Sequence, residues 1–140
     1  MVYADSSAVL GWLFTEPGNE RLAPWLRPPA PVVVSTLTLI ECDRALYRLT
    51  QLPSSRDADI EGLRASFLEL SAGWAIEPIS AAVVSRARSS FPDDAIRSLD
   101  SIHLATAVVV RDAVGELDVL SLDERIRLNA RSLGFKVRPD

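Results

Sequence analysis

One cysteine and one histidine are all that the chain holds of two residue types that carry much of enzyme chemistry. A lone Cys42 cannot form an internal disulfide, so nothing implies an oxidising compartment. Cys42 and His103 also lack the companions and the spacing of a zinc site. No apolar run approaches the roughly 20 residues needed to cross a bilayer, and an acid is reached at Asp5, so neither a signal peptide nor a membrane helix is expected. The expected location is the cytoplasm. Glycine-rich phosphate loops, dinucleotide fingerprints and the nucleophile elbow are all missing, which argues against P-loop, Rossmann and Ser-His-Asp chemistry.

Lysine is almost absent too. Of 15 basic residues only Lys136 is Lys and the rest are Arg. Arg suits bidentate recognition of phosphate, and a GC-rich genome produces the same bias. The net charge of -4 argues against a broad nucleic-acid-binding surface, which normally needs basic patches. A compact acidic site remains compatible with it, because bound cations would cancel several of the 19 acids.

What is present is a globular composition, 48% hydrophobic and 24% charged, in 140 residues. That length fits one domain over residues 1–140, burying roughly two-thirds of its unfolded surface. Short apolar strands alternate with amphipathic helices. Strands are expected at Val2 to Ala4, Val32 to Val34, Trp74 to Ile79, Asp118 to Ser121 and, at an edge, Phe135 to Val137. Between them, Ser6 to Phe14, Glu20 to Leu26, Thr38 to about Leu49, Pro53 to Gly73, Ser80 to Ser90, Leu99 to Val114 and Glu124 to Leu133 read as helices. Ile60, Leu63, Phe67 and Leu70 form one apolar stripe. Glu16, Pro17 and Gly18 stop the first helix, Pro28, Pro29 and Pro31 stiffen a connection, and Phe91 to Asp94 reads as a turn. Such alternation implies an α/β fold, a central and mainly parallel sheet with helices on both faces.

Four acids stand at strand ends or helix starts. Asp5 follows the first strand, Glu41 lies in the helix after the second, Asp100 opens an apolar helix, and Asp123 follows the late strand. Each has a plain structural explanation. Asp5 and Asp100 suit helix caps, Glu41 follows Thr38 at capping-box spacing, and Asp123 suits a first helical turn. Yet all four positions project to one edge of a parallel sheet, where the ligands of open α/β sheets gather. Clustered carboxylates repel, and a hard divalent cation such as Mg²⁺ or Mn²⁺ relieves that repulsion. Two such ions about 4 Å apart activate water and steady the leaving oxygen in a phosphodiester displacement. His103, one turn after Asp100, reads as a partly buried, hydrogen-bonded imidazole rather than a catalytic group.

The segments around these acids, VYADSSAVLGWLFTEPG, STLTLIECDRALYRL, LDSIHLATA and LSLDERIRLNARSLGFKV, closely resemble the PIN-domain ribonuclease toxins of VapBC toxin–antitoxin pairs. The resemblance runs end to end and is weakest between Ser54 and Phe91. It implies a PIN-like three-layer α/β/α fold and Mg²⁺-dependent cleavage of RNA. Further implications are a homodimer and a cognate VapB-like antitoxin that presents a basic residue to the acids. Carried over by position, Asp5 and Asp100 become principal metal ligands, Glu41 a further acid and Asp123 the fourth, ahead of Asp118, Asp93 and Asp94. Ser7 and Ser121 match supporting hydroxyls. Arg44 matches a recurrent Arg that orients carboxylates or meets phosphate, where an ion pair with Glu41 is its plain reading. The Ile60 to Leu70 stripe is either antitoxin groove or ordinary core.

Two other readings compete. A receiver-like phosphoacceptor domain has similar length and an acidic pocket, but it needs a Lys ending a late strand. A catalytically inactive PIN-like antitoxin-binding protein keeps the fold, and the full set of acids argues against it.

Overall fold

The computed structural model describes residues 1–14, 20–27, 29, 31–93 and 96–140. The expected stop at Glu16, Pro17 and Gly18, together with Pro28 and Asp94, lies outside the described residues. Among the described residues five strands form one sheet in the order β3-β2-β1-β4-β5, with every neighbouring pair parallel. They are β1 (Val2–Ala4), β2 (Val32–Ser35), β3 (Ala75–Glu77), β4 (Asp118–Leu120) and β5 (Val137–Arg138). The helices are α1 (Ser6–Leu13), α2 (Ala23–Leu26, entered through a 3₁₀ turn at Glu20–Leu22), α3 (Thr36–Thr50), α4 (Asp57–Ser71), α5 (Ala81–Ala87), α6 (Ser98–Val114) and α7 (Glu124–Ser132).

The strand alternation sorts the core into two halves. Val2 and Ala4 of β1, Val32 and Val34 of β2 and Leu120 of β4 face one layer, where they join Val9 of α1, Leu46 of α3 and Phe67 of α4. Tyr3, Val33 and Val119 point the other way, against Val83 of α5, Leu104 and Val108 of α6 and Ile126 of α7. Side chains on successive strand residues point to opposite faces, so three-residue strands buried on both sides must be apolar throughout. The result is the three-layer α/β/α arrangement expected from the sequence.

The Ile60 to Leu70 stripe is core. Ile60, Phe67 and Leu70 are buried, and Leu63 packs against the same cluster. Cys42 is buried in that layer as well, and burial pushes its thiol well up, so it acts as a small apolar side chain.

Several element ends differ from expectation. α4 begins at Asp57 rather than Pro53, because the Ser55 N–H is spent on the Leu52 carbonyl in a tight turn (3.1 Å). β3 stops at Glu77 because Pro78 has no N–H to extend a ladder. α5 ends at Ala87, where a tightened last turn sends the Ser89 N–H to the Arg86 carbonyl (3.1 Å). No helix among the described residues is long and apolar enough to cross a membrane.

This layering assigns different weights to two leucines. Leu46→Ala should cost about 2–5 kcal/mol as a buried cavity in the α3 layer. Leu68→Ala, at a residue 68% exposed on α4, should stay within about 0.5 kcal/mol of wild type. Urea unfolding of both variants checks the assignment, and equal losses would contradict it.

Candidate active site

Strand order places β1 at the centre, with β2 on one side and β4 on the other. The chain leaves β1 in one direction and returns on the opposite side through β4, so the carboxyl ends of these two strands form a topological switch point, where the ligands of open sheets gather. Asp5 sits there. Its N–H continues the β1–β4 ladder to the Leu120 carbonyl (3.1 Å), and its side chain caps α1 by accepting from the Ala8 N–H (3.0 Å). The residue is 1% exposed.

Two hydroxyls hold this buried group. Ser7 Oγ donates to Oδ1 (2.7 Å) and Ser121 Oγ to Oδ2 (2.5 Å). Ser7 Oγ in turn accepts from the N–H groups of Leu122 (2.8 Å) and Asp123 (3.1 Å), and Ser121 Oγ also accepts from Asp123 N–H (3.1 Å). One small lattice thereby joins the end of β1 to the turn after β4. Arg127 fastens that turn from behind, donating to the carbonyls of Ser121 (2.8 Å) and Arg138 (3.0 Å). Burial raises the Asp5 pKa, and His103, Ser121, Ser7 and the Ala8 N–H oppose the rise only in part.

Asp123 is the N-cap of α7, accepting from Arg125 N–H at 2.8 Å. Asp100 stands in the first turn of α6, 6% exposed. One guanidinium links the two, since Arg97 reaches Asp100 through Nε (3.0 Å) and Asp123 through Nη2 (3.2 Å). Sequence reasoning did not single out Arg97. Its position three residues before Asp100 across a helix start was the available signal.

Glu41 does not serve the capping box that its spacing suggested. Ser35 is the N-cap of α3, accepting from Leu37 N–H at 3.2 Å, which leaves Glu41 in the second turn. Its carboxylate meets His103 Nε2 at 2.7 Å instead. Burial would raise the Glu41 pKa, but the hydrogen bonds from His103 and Ser6 and the charges of His103 and Arg48 outweigh it and lower the value. His103 is the hydrogen-bonded imidazole expected, though more deeply buried than the sequence suggested, and its other nitrogen faces the hydroxyl of Tyr3 at 2.8 Å. Tyr3 was missed because a strand aromatic reads as core.

The remaining candidates separate in space. Asp118 pairs in register with Val2, at the opposite end of the strands from Ser121, and is bound to Arg138 (2.9 Å). Asp93 lends its backbone N–H to Asn129 of α7 (2.9 Å). Arg44 is exposed and its guanidinium lies 5.0 Å over the Tyr47 ring, with no ion pair to Glu41 among the described residues. Lys136 precedes β5 rather than ending a strand, which removes the geometry that a receiver domain requires.

A PIN domain model matches residues 2–132. The chain belongs to the PIN domain family. Within it, Ribonuclease VapC46 of Mycobacterium tuberculosis is 34% identical over 136 residues, covering 97% of this chain and 95% of the relative. This places the chain among the VapC-type PIN proteins. Among solved structures, FitAcB from Neisseria gonorrhoeae superposes with a TM-score of 0.66 at 21% identity, over 98% of this chain and 96% of that one. VapBC2 from Rickettsia felis, bound to a DNA fragment from its promoter, gives 0.62 at 10% identity, over 99% and 98%. Both structures share the fold.

Whether this PIN site suits a divalent cation is decided by its donors. Among the described residues no three His, Cys, Asp or Glu side chains form a ready-made ligand cluster. The donor set is nonetheless oxygen-rich, with carboxylates at Asp5, Asp100 and Asp123 and hydroxyls at Ser7 and Ser121. Asp100 and Asp123 already share one cationic group, the Arg97 guanidinium. Oxygen donors around shared positive charge fit a hard cation, provided Arg97 yields its place.

The raised pKa of Asp5 has a signed consequence for the metal-free protein. A carboxyl whose folded pKa lies above its unfolded value contributes stability that is complete below the unfolded pKa and is lost as pH rises through the folded one. Asp5→Asn, which keeps the capping oxygen, should therefore raise the unfolding midpoint at pH 7 in chelator. The gain should vanish below about pH 4, the unfolded range of Asp. Thermal melts across pH test this, and a destabilised Asn variant at pH 7 would contradict it.

Proposed function

We propose that this VapC-type PIN protein is a Mg²⁺-dependent endoribonuclease, the toxin of a type II toxin–antitoxin pair. The observation that carries the proposal is the buried Asp5 carboxylate at the carboxyl end of β1, built into one hydrogen-bonded lattice with the turn that bears Asp123. Asp100 joins the same edge through Arg97. The ribonuclease activity named for VapC46 supports the RNA-cleaving reading, and the VapB–VapC pairing of the Rickettsia felis complex supports a VapB-like antitoxin as partner. A homodimer and a cytoplasmic location complete the proposal.

Asp5 and Asp100 would be the principal ligands of Mg²⁺, with Mn²⁺ as a substitute, and Glu41 and Asp123 the further acids. When bound, the ion supplies an activated water and offsets charge on the phosphodiester during in-line displacement. The protein's part is positional. Ser7 and Ser121 fix both oxygens of Asp5, so the most buried acid has one orientation. Arg97, 61% exposed, is free to swing from Asp100 and Asp123 toward an entering phosphate, and a planar guanidinium suits two phosphate oxygens. Arg44 offers a second exposed cation on α3 for the RNA backbone.

Asp5→Ala and Asp100→Ala should each lower RNA cleavage by more than the roughly 10–100-fold typical of removing a ligand's supporting partner. Growth arrest on expression should disappear with it. Chelator should abolish cleavage by the wild type, and Mg²⁺ or Mn²⁺ should restore it. Cleavage undiminished in both variants, or indifferent to chelator, would overturn the proposal.

A further inference from the structure

Tyr3 is a core residue with an unexplained oxygen. Its ring lies in the layer between β1 and α6 at 0% exposure, where Phe would satisfy packing alone. The hydroxyl meets His103 Nδ1 at 2.8 Å, the two rings standing edge to face with centroids 6.2 Å apart. His103, 2% exposed, then meets Glu41 Oε2 through Nε2 at 2.7 Å. A polar chain so deeply buried persists only if every member is satisfied, and no buried side-chain nitrogen or oxygen among the described residues lacks a partner.

The carboxylate fixes one end of this chain. An ionised carboxylate only accepts, so Nε2 carries the proton and donates to Glu41. The other ring nitrogen, Nδ1, faces the Tyr3 hydroxyl. Three elements are tied in sequence, β1 through Tyr3, α6 through His103 and α3 through Glu41. Asp5 lies two residues after Tyr3 and Asp100 one turn before His103. The chain thus links the strand and helix that bear the two strongest candidate ligands to the helix that bears the third acid.

We propose that Tyr3 and His103 form a buried positioning relay that sets the orientation of the Glu41 carboxylate for cation binding. The inference rests on the metal-site reading above. Neither Tyr3 nor His103 touches RNA or the reacting atoms. Their effect is to hold a partly buried glutamate, otherwise free to sample several rotamers, in one place on α3. Partners that orient a ligand in this way commonly govern metal affinity by about 10–100-fold.

The test is Mn²⁺ affinity of the full chain without RNA, read from the electron paramagnetic resonance of free Mn²⁺, beside thermal unfolding. Tyr3→Phe removes one oxygen and keeps the ring. It and His103→Leu should each weaken Mn²⁺ binding by about 10-fold or more at temperatures where both variants are fully folded. His103→Gln, which retains an N–H donor, should recover part of the loss. A role in packing alone would move the unfolding midpoint and leave the affinity of the folded protein unchanged. Wild-type binding with an unaltered affinity in Tyr3→Phe overturns the relay and leaves the metal site standing. No Mn²⁺ binding by the wild type overturns the metal site and the relay with it.

Discussion

A carboxylate buried at the end of the central strand is the constraint around which the rest of the molecule is arranged. Leaving Asp5 ionised and unpaired in the core would be prohibitive. The fold answers with the hydroxyls of Ser7 and Ser121, the Ala8 N–H and the N-terminus of α1. Hydrogen bonds to a charged group are worth roughly 1.5–3 kcal/mol each, enough to retain the group but not to erase its cost. The raised pKa of Asp5 is the remainder. A site that invites a cation is one where bound positive charge removes that remainder, and stability and function pull this residue in opposite directions.

The sheet order follows from the same demand. Ser121 reaches Asp5 only because β4 lies beside β1, and Thr38 of α3 reaches the Ala4 carbonyl (3.4 Å) because β2 lies on the other flank. The helices that begin at this edge turn their N-terminal ends toward the acids, and the positive end of a helix dipole favours negative charge. Asp5 and Asp123 therefore act as caps and as candidate ligands at once. The cap is what the structure shows at both residues, and the ligand role belongs to the proposal.

Much of the fold was legible because its signals are local. β-branched runs such as Val32 to Val34, the Asp and Ser caps and the spacing of Phe67 and Leu70 each report on a few neighbours. Element ends at α4, α5 and β3 were misplaced because hydrogen bonds of single turns decide them, as with Ser55 and Leu52. The acids were legible as a set because their positions share one sheet edge. Their individual surroundings were not. Glu41 matched a capping box by spacing, but Ser35 took the cap and freed Glu41 for His103, 62 residues away. Tyr3 and His103 are 100 residues apart, and no pattern in one sequence pairs an aromatic strand residue with an imidazole on a late helix. Arg97 was hidden by the opposite circumstance, an unremarkable surface cation whose reach to Asp123 depends on how α6 and α7 converge.

The central claim is that these acids hold a divalent cation beyond the carboxyl end of β1. Anomalous diffraction from crystals grown with Mn²⁺ tests it most directly. The account predicts a peak coordinated by Asp5 and Asp100, with the Arg97 guanidinium displaced from its bridge between Asp100 and Asp123. Crystals that show Arg97 still bridging these two carboxylates, with no anomalous peak at Asp5 under saturating Mn²⁺, would contradict it.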